Sequence, residues 1–562
     1  MSQTATTPRI DPITLEVVRN RLAVIADEME EILLRSSYSP IVKEGLDASA
    51  ALFTIGGETL AQSVAIPIHL GTLVPAVRRI IAEFPLDQMH PDDAYAMNDP
   101  YDGGTHLPDV IMVVPIFAGN RVVALSTTLT HHQEMGGKTA GSVPTDATEI
   151  FQEGIIIPPL KFIDRGAPNE TLHRLWARNL RIPDVVFGDL RAQVAACRAG
   201  GRRVQALVSD LGVDSSLSLF DALLNNAERL TRARIAEIPD GTYTFTDYLD
   251  NDGVELDRRL QITATVTIAG DRFKVDFTGT SSQARGPVNA VPSSTLSAVY
   301  YCVKAVTDPE IPNNVGCYRA IDVVLPVGSL VNPIRPAPVN ARTATVKRIT
   351  DAIFGALHQA LPGRLPAAPS GELLVMSISG IDPRTGQRFI TSELGTGGMG
   401  ARPGKDGIDV IETDATNCMN LPAESIEVDF PIRINHWRLR TDSGGAGQWR
   451  GGLGFVKSFE AIGTELELSY RGERHSTAPW GVEGGHDGDN GRARIWRADG
   501  QVETVNSKQI VHLQPGERLE VELAGGAGYG DPLKRDRDRI RDDLKDRKIS
   551  TEAARELYGF EG

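Results

Sequence analysis

The segment from residue 98 to residue 137 constrains the fold of this chain more than any other. An apolar, β-branched run at 110–117 is followed by Gly119-Asn120, and a second such run returns at 121–130. Two strand-like runs joined by a glycine–asparagine turn predict a β-hairpin. Three of the chain's eleven histidines border it: His106, His131 and His132.

The turn also fixes which residues face each other across the hairpin. Partners have position numbers that sum to about 239 or 240, so Asp109 is predicted to lie level with Thr130 or His131. His106 precedes Asp109 by three residues, in a loop that contains Gly103-Gly104. We therefore expect His106, Asp109 and His131 to converge at the open end of the hairpin.

Two imidazoles and a carboxylate suit Zn, Mn or Fe and leave positions open for water or substrate. The alternative is that these are ordinary polar residues, since an isolated His-x-x-Asp is a weak signal. Asp99 and Asp102 are expected only to form Asx turns. His132 follows His131 directly, so in a regular strand its side chain points to the opposite face.

The first 240 residues combine this hairpin with helical patterns. Asp11-Pro12 predicts the start of a helix of about twenty residues, with an N-cap aspartate and a proline at the first position. A short hairpin is expected at 49–63, turning at Gly56-Gly57. Two further helices are predicted at Gly188–Asp210 and Asp214–Ile235, separated at Gly212.

The pattern changes at Gly241, where short strand runs begin to alternate with glycine- and proline-rich turns. Helical patterns return at about 294–306 and 344–361, and the charged tail after Lys534 predicts one helix. We therefore expect a mixed α/β (α+β) fold. Its regions are a metal-bearing part at 1–240, a β-rich part at 241–535 and a charged C-terminal helix at 536–562.

Composition excludes several classes of protein. The 58 basic and 73 acidic residues give a net charge of −15, which disfavours binding to nucleic acid or to an anionic membrane surface. No apolar run approaches the roughly 20 residues of a membrane helix. The N-terminus lacks the apolar stretch of a secretory signal. Four scattered cysteines in 562 residues indicate a reducing, cytoplasmic setting.

Two glycine motifs resemble nucleotide-binding loops without meeting their requirements. The sequence MGGKT at 135–139 has His132 where a P-loop needs its first glycine. The motif GTGGMG at 395–400 is followed by Arg402-Pro403-Gly404, which cannot open a helix well. Structural turns are the expected role of both, so no nucleotide site is predicted in this chain.

Several motifs, in order along residues 11 to 560, resemble the hydantoinase B/oxoprolinase family. They are KEGLDASAALF (43–53), IPIHLGTL (66–73), NDPYDGGTHLPD (98–109), THHQEMGG (130–137), QEGIIIPPLK (152–161), GPVNAV (286–291), PNNVGC (312–317), DSGGAGQWRGGLG (442–454) and GYGDPLKRD (528–536).

The resemblance implies a hetero-oligomer in which a hydantoinase A-like ATPase subunit uses ATP and Mg to phosphorylate the carbonyl oxygen of a cyclic amide. It implies metal ligands at four positions, which are Glu44, His106, Asp109 and His131. One departure concerns the substrate: relatives often have an arginine after the glutamate of this motif, whereas this chain has Gly45.

The implied reaction is hydrolysis of a hydantoin, oxoproline or lactam ring by metal-activated water. His132 and Glu134 are candidates for proton transfer, and His69 is expected to support the ligands. An acetone-type carboxylase is the alternative enzyme. A structural subunit without a metal is the alternative of a different class.

Overall fold

The computed structural model describes residues 11–561 and has the expected mixed α/β architecture. Its α-helices are α1 (Pro12–Ser36), α2 (Pro40–Lys43), α3 (Leu73–Glu83), α4 (Glu170–Asn179), α5 (Pro183–Leu211), α6 (Val213–Ile235), α7 (Pro292–Val306), α8 (Arg342–Ala360), α9 (Ala423–Asp429), α10 (Arg537–Lys545) and α11 (Thr551–Tyr558).

Four sheets accompany these helices. The first sheet contains β1 (Ala48–Phe53), β2 (Thr59–Gln62), β3 (Ala94–Met97), β4 (Asp109–Ala118), β5 (Arg121–His131), β6 (Leu160–Asp164) and β7 (Ala167–Pro168). The second contains β8 (Gly241–Leu249), β9 (Leu260–Ala269), β10 (Arg272–Asp276) and β11 (Ile321–Val324).

The remaining strands are β12 (Leu373–Ile381), β13 (Arg388–Thr396), β14 (Ile432–Leu439), β15 (Phe455–Ala461), β16 (Leu466–Arg471), β17 (Arg492–Trp496), β18 (Val502–Val505), β19 (Lys508–Leu513) and β20 (Arg518–Glu522). The third sheet has the order β13-β12-β16-β19, and the fourth has the order β14-β15-β20-β17-β18.

The first sheet carries the predicted hairpin near its centre, in the order β2-β1-β5-β4-β3-β6-β7. Side chains alternate between its two faces. Ile111 and Val113 of β4 pack in the cluster that contains α3, whereas Val110 and Met112 pack in the cluster that contains α5. The sheet is therefore covered on both sides, which buries the open end of the hairpin.

The predicted start of α1 and the break at Gly212 agree with the structure, whereas α5 begins at Pro183 and not at the predicted Gly188. The Asp11 side chain accepts a hydrogen bond from the N–H of Thr14, 2.9 Å away, so it caps α1. Gly212 separates α5 from α6 with φ +81°, a conformation that glycine adopts without a steric penalty.

The largest apolar core crosses position 240. It joins Leu33 and Val42 of the first region to Ile262, Ile353 and other residues of the second region. Helices α7 and α8 pack against each other, and α8 covers the second sheet. The proposed division at 240 stays a prediction, but the two sides share one core.

The single C-terminal helix was a wrong prediction. Two short helices, α10 and α11, occupy this tail and are separated between Lys545 and Thr551. Arg547 has φ +57°, and the Ser550 side chain caps α11 by accepting from the N–H of Ala553. Among residues 11–561, no helix is both long enough and apolar enough to cross a membrane.

Candidate metal centre

The hairpin register is the one that the sequence predicts. Asp109 pairs directly with His131, and Val110 pairs with Thr130. A bulge between Ile116 and Phe117 shifts the register by one residue near the turn. The pairing places the Asp109 and His131 side chains next to each other on the sheet face opposite α5.

His106 completes a group of three buried candidate ligands. One potential ligand atom from each of His106, Asp109 and His131 lies within 4.8 Å of the others. His106 Nε2 is 3.2 Å from Asp109 Oδ1, and the two imidazole centroids are 4.9 Å apart. The exposed fractions are 1%, 0% and 6%. Within residues 11–561, no other group of three such side chains meets the same distance criterion.

Neighbouring groups hold two of the ligands in place. Asn340 O lies 3.3 Å from His106 Nδ1, which leaves Nε2 facing Asp109. Asp109 Oδ2 accepts from Arg342 Nη2 at 2.7 Å and from the Thr105 hydroxyl, so Oδ1 remains available. Such outer contacts orient metal ligands in proteins.

The third ligand, His131, is positioned through its backbone. Its N–H donates to Asp47 O at 3.1 Å, and the next N–H, of His132, donates to Pro108 O at 2.8 Å. These bonds extend the pairing to the end of the hairpin. The His131 side chain is thereby fixed beside that of Asp109.

The electrostatics of the cluster favour the protonation states that bind metals. Burial, with Arg342 nearby, lowers the pKa of His106 to about 4. Burial also lowers the pKa of His131 well below its usual range. Burial alone would raise the pKa of Asp109, but His106 and Arg342 lower it below its usual range. Two neutral imidazoles and one carboxylate are the forms that a metal requires.

The chemistry of this donor set fits a divalent transition metal. His106 Nε2, Asp109 Oδ1 and His131 Nδ1 are buried and make no well-directed hydrogen bond within the described chain, although the first two face each other at 3.2 Å. Buried polar atoms are rarely left unpaired without a function. Three of them in one group are the arrangement expected at a site built for a cation.

A small cavity adjoins the cluster. Its volume is about 30 Å³, enough for about one water molecule. Its wall includes Asp47, His69, His106, His131, Arg342, Thr416 and Arg471. Thr416 also borders a cleft of about 630 Å³ whose wall includes Tyr301, Phe354 and Trp480. The small cavity and this cleft of substrate size therefore share Thr416 in their walls.

Glu44, implied as a ligand by resemblance, is not part of the group of three. It is the half-buried residue at the C-terminal end of α2, and its role as a ligand stays a prediction. The backbone of Ile41 lies close to Gly45, so that a Cβ at position 45 would be 2.5 Å from Ile41 O. In this backbone, position 45 has no room for the arginine of relatives.

The two predicted proton-transfer residues lie outside the cavity wall. His132 projects to the α5 face, where its Nε2 lies 3.1 Å from Gln193 Oε1. Glu134 is fully buried and pairs with Arg181 Nη1 at 2.6 Å, while it accepts from the N–H groups of Gly136 and Arg181. Their catalytic roles stay predictions, and the contacts of Glu134 are those of a structural carboxylate.

His69 does line the cavity, as expected of a supporting residue. Its Nδ1 lies 2.7 Å from Ser49 Oγ, and burial lowers its pKa to about 4. The Asp99 side chain accepts from the N–H of Tyr101 at 3.0 Å, which is the predicted Asx turn.

Sequence reasoning did not identify four residues around the cluster: Asp47, Asn340, Arg342 and Arg471. Asp47 lies within a quoted motif, and burial, with Asp109 nearby, raises its pKa to about 8. Arg342 is 233 residues from its partner Asp109 along the chain. The spacing of residues within one segment of the sequence does not indicate contacts between residues so far apart along the chain.

Two relatives are similar to this chain over nearly its whole length. A protein of a Pseudomonas species, named as the B-type component of a putative D-/L-hydantoinase, is 34% identical to this chain, over 98% of it and 95% of the relative. The beta component of the caprolactamase of Pseudomonas jessenii is 33% identical over 98% and 96%.

Two solved structures share the fold. The crystal structure of the ATP-dependent caprolactamase from Pseudomonas jessenii has a TM-score of 0.90 and 31% identity, covering 98% of this chain and 96% of that one. A nucleotide-free acetone carboxylase also has a TM-score of 0.90, over 98% and 79%. At 21% identity it shows the common fold alone. The hydantoinase B/oxoprolinase family model matches residues 11–532, and the chain belongs to this family.

Proposed function

We propose that this chain is the metal-bearing subunit of an ATP-dependent hydrolase that opens a cyclic amide such as a hydantoin, oxoproline or lactam. The buried group of His106, Asp109 and His131 is the observation that carries the proposal. The relatives named hydantoinase and caprolactamase support the substrate class. A Zn, Mn or Fe ion is the proposed cofactor, with Glu44 as the proposed fourth ligand.

The amide requires activation because its carbon is a poor electrophile. We propose that a partner subunit of hydantoinase A type, using ATP and Mg, phosphorylates the carbonyl oxygen in a hetero-oligomer. A divalent metal held by these residues would supply Lewis acidity and lower the pKa of water. Addition of water to the activated carbon, cleavage of the C–N bond with protonation of the nitrogen, and hydrolysis of the resulting acyl phosphate would give the ring-opened carboxylate and inorganic phosphate. The four cysteines, all buried and unpaired, agree with a proposed cytoplasmic location.

The protein's own residues provide binding, orientation and exclusion of solvent. His106, Asp109 and His131 bind the ion, Asn340 orients His106, and Arg342 orients Asp109. The adjoining cavity admits about one water molecule, so bulk water is kept from the reacting atoms. The cleft of about 630 Å³, which shares Thr416 with the wall of this cavity, is the proposed entry for substrate.

The test is to measure ADP and ring-opened product in one reaction of the reconstituted complex. The chain alone should cleave neither ATP nor amide. In a complex that carries Asp109→Asn, ATP cleavage should continue at a reduced rate while product falls much further, so the ADP-to-product ratio rises. Asp93→Asn is the matched control: it makes the same change at a buried aspartate that pairs with Lys161.

Two results would count against the proposal. ATP turnover by the lone, contaminant-free chain would remove the need for the partner. An intact Asp109→Asn complex with the wild-type ADP-to-product ratio would show that the metal group does not perform the second step. Gel filtration distinguishes both results from dissociation of the complex.

A further inference from the structure

Arg471 differs from every other buried arginine in the described chain. Seven arginines are buried among residues 11–561, and six of them have a carboxylate within 4.0 Å. Arg471, the last residue of β16, has none. Its hydrogen bonds run from Nη1 to Asn340 O at 3.0 Å and to Asn340 Oδ1 at 2.6 Å. Its Nε is buried without a partner.

A buried guanidinium without a counter-ion is costly, because burial removes its hydration and the two neutral acceptors of Asn340 replace only part of it. Burial, with the positive charge of Arg342, lowers the pKa of Arg471 to about 9, while Glu153 opposes this change. The side chain is therefore still charged at neutral pH. A fold that retains such a charge at a cavity wall indicates a ligand that supplies the missing negative charge.

The position of Arg471 links it to the metal centre. It lines the same small cavity as His106 and His131. Asn340 O contacts His106 Nδ1 on one side and Arg471 Nη1 on the other. One residue thus fixes both a metal ligand and the unpaired guanidinium. Asn340 therefore fixes the positions of the His106 imidazole and the Arg471 guanidinium relative to each other at the cavity wall.

We propose that Arg471 and the metal centre together bind an oxyanion of the substrate, with Arg471 holding a phosphoryl oxygen of the activated amide. The phosphoryl identity rests on the proposed function, whereas the oxyanion follows from Arg471 itself. A guanidinium presents several N–H donors in a fixed plane and suits phosphoryl oxygens. The cavity of about 30 Å³ has room for about one such oxygen, and the rest of the substrate would lie toward the cleft that shares Thr416 with its wall.

The experiment titrates the metal-loaded chain, without ATP or partner, with inorganic phosphate by calorimetry. Arg471→Met should weaken phosphate binding at least about 10-fold, the effect typical of losing a charge-assisted hydrogen bond. Arg471→Lys, which keeps the charge but loses the planar fork, should lie between. Arg494→Met is the matched control and should bind phosphate like the wild type, because Arg494 pairs with Glu522 in another sheet.

Metal content and circular dichroism are measured for each variant. A folded, metal-replete Arg471→Met chain with wild-type phosphate affinity would overturn the proposal, and so would wild-type affinity in Arg471→Lys if Arg471→Met fails to fold. A parallel titration with bicarbonate tests the source of the oxyanion. Arg471-dependent binding of bicarbonate but not phosphate would overturn the phosphoryl assignment. Because no turnover is measured, failure of the proposed hydrolysis would not change these results.

Discussion

Two clusters of charged residues in this protein differ in how their charges are paired. The C-terminal ion network consists of Arg450, Arg535, Asp406, Asp409 and Asp543. Arg535 donates to both oxygens of Asp406 and to Asp543, and Arg450 lies between Asp409 and Asp543. Each charge in this network has a partner of opposite sign.

The small cavity beside the candidate metal ligands contains similar residue types that are less completely paired. Three candidate ligand atoms have no partner within residues 11–561, and Arg471 has no carboxylate there. A paired network can hold a fold together without a ligand, whereas unpaired buried groups destabilise the fold unless something binds them. Pairing, more than residue type, therefore separates a structural cluster from a functional one.

The largest expected effect comes from removing a metal ligand. His106→Ala should lower the metal content from about one ion per chain to near zero. Product formation should fall by about 1,000-fold or more, since metal activation of water supplies several kcal/mol of barrier reduction. Elemental analysis and product assays of the reconstituted complex measure both quantities. Full metal occupancy in this variant would contradict the assignment of His106.

The second prediction concerns stability in the two clusters. Arg535→Met should lower the free energy of unfolding by about 1.5–3 kcal/mol, because Asp406 and Asp543 lose their charged hydrogen bonds to Arg535 and keep only Arg539 and Arg450 as partners. Arg471→Met should cost much less or should stabilise the metal-free chain, because it removes an unpaired charge. Urea unfolding of both metal-free variants makes the comparison. Equal losses would show that Arg471 is as structural as Arg535.

The two clusters also differ in what the sequence can predict. The turn at Gly119-Asn120 sets the register over a few residues, so the pairing of Asp109 with His131 could be derived from local pattern alone. Arg471 reaches Asn340 across 131 residues. That contact forms only because the end of β16 lies against the loop that precedes α8. The residue pattern of neither segment predicts the contact between Arg471 and Asn340.

The same limit applies to the ends of the fold. The Asp11-Pro12 start and the Gly212 break were predictable, because capping and glycine geometry are local. The break between α10 and α11 had a local signal too, the N-cap residue Ser550, which the charge pattern of the tail concealed. The role of Glu44 came from resemblance, and its geometry in the described chain does not decide it.

The third prediction is a pH dependence of opposite sign in the two clusters. Burial raises the pKa of Glu153 to about 8, although the N–H groups of Asn340 and Val339 and the charge of Arg471 oppose this. The pKa of Glu153 in the unfolded chain is near 4.5. The contribution of Glu153 to the free energy of unfolding is therefore present in full below pH 4.5 and is lost as pH rises to about 8. Burial alone would raise the pKa of Asp406, but Arg535 lowers it, so its contribution is lost as pH falls below 3.8.

The measurement is urea unfolding of the metal-free wild type and Glu153→Gln between pH 5 and pH 7. The free energy of unfolding of the wild type should fall by about 2 kcal/mol relative to that of the variant over this range, since each pH unit contributes at most about 1.4 kcal/mol. The glutamine of the variant cannot titrate, so the variant supplies the baseline. Parallel curves for the two proteins would show that Glu153 is ionised in the folded state.

The smallest expected effect tests whether Glu134 belongs with the paired cluster or with the metal site. Its carboxylate is already satisfied by Arg181 and two backbone N–H groups, and it does not line the cavity. Glu134→Gln keeps the size of the side chain and removes its charge.

We expect a loss of about 1–2 kcal/mol in the free energy of unfolding, as for weakening a charged hydrogen bond. Product formation by the intact complex should stay within about 2-fold of wild type, because Glu134 lies outside the cavity wall. A 2-fold change corresponds to less than about 0.5 kcal/mol of barrier. The opposite pattern, with unchanged stability and a product rate lowered about 100-fold or more at constant metal content, would place Glu134 in proton transfer and move it from the structural group to the site.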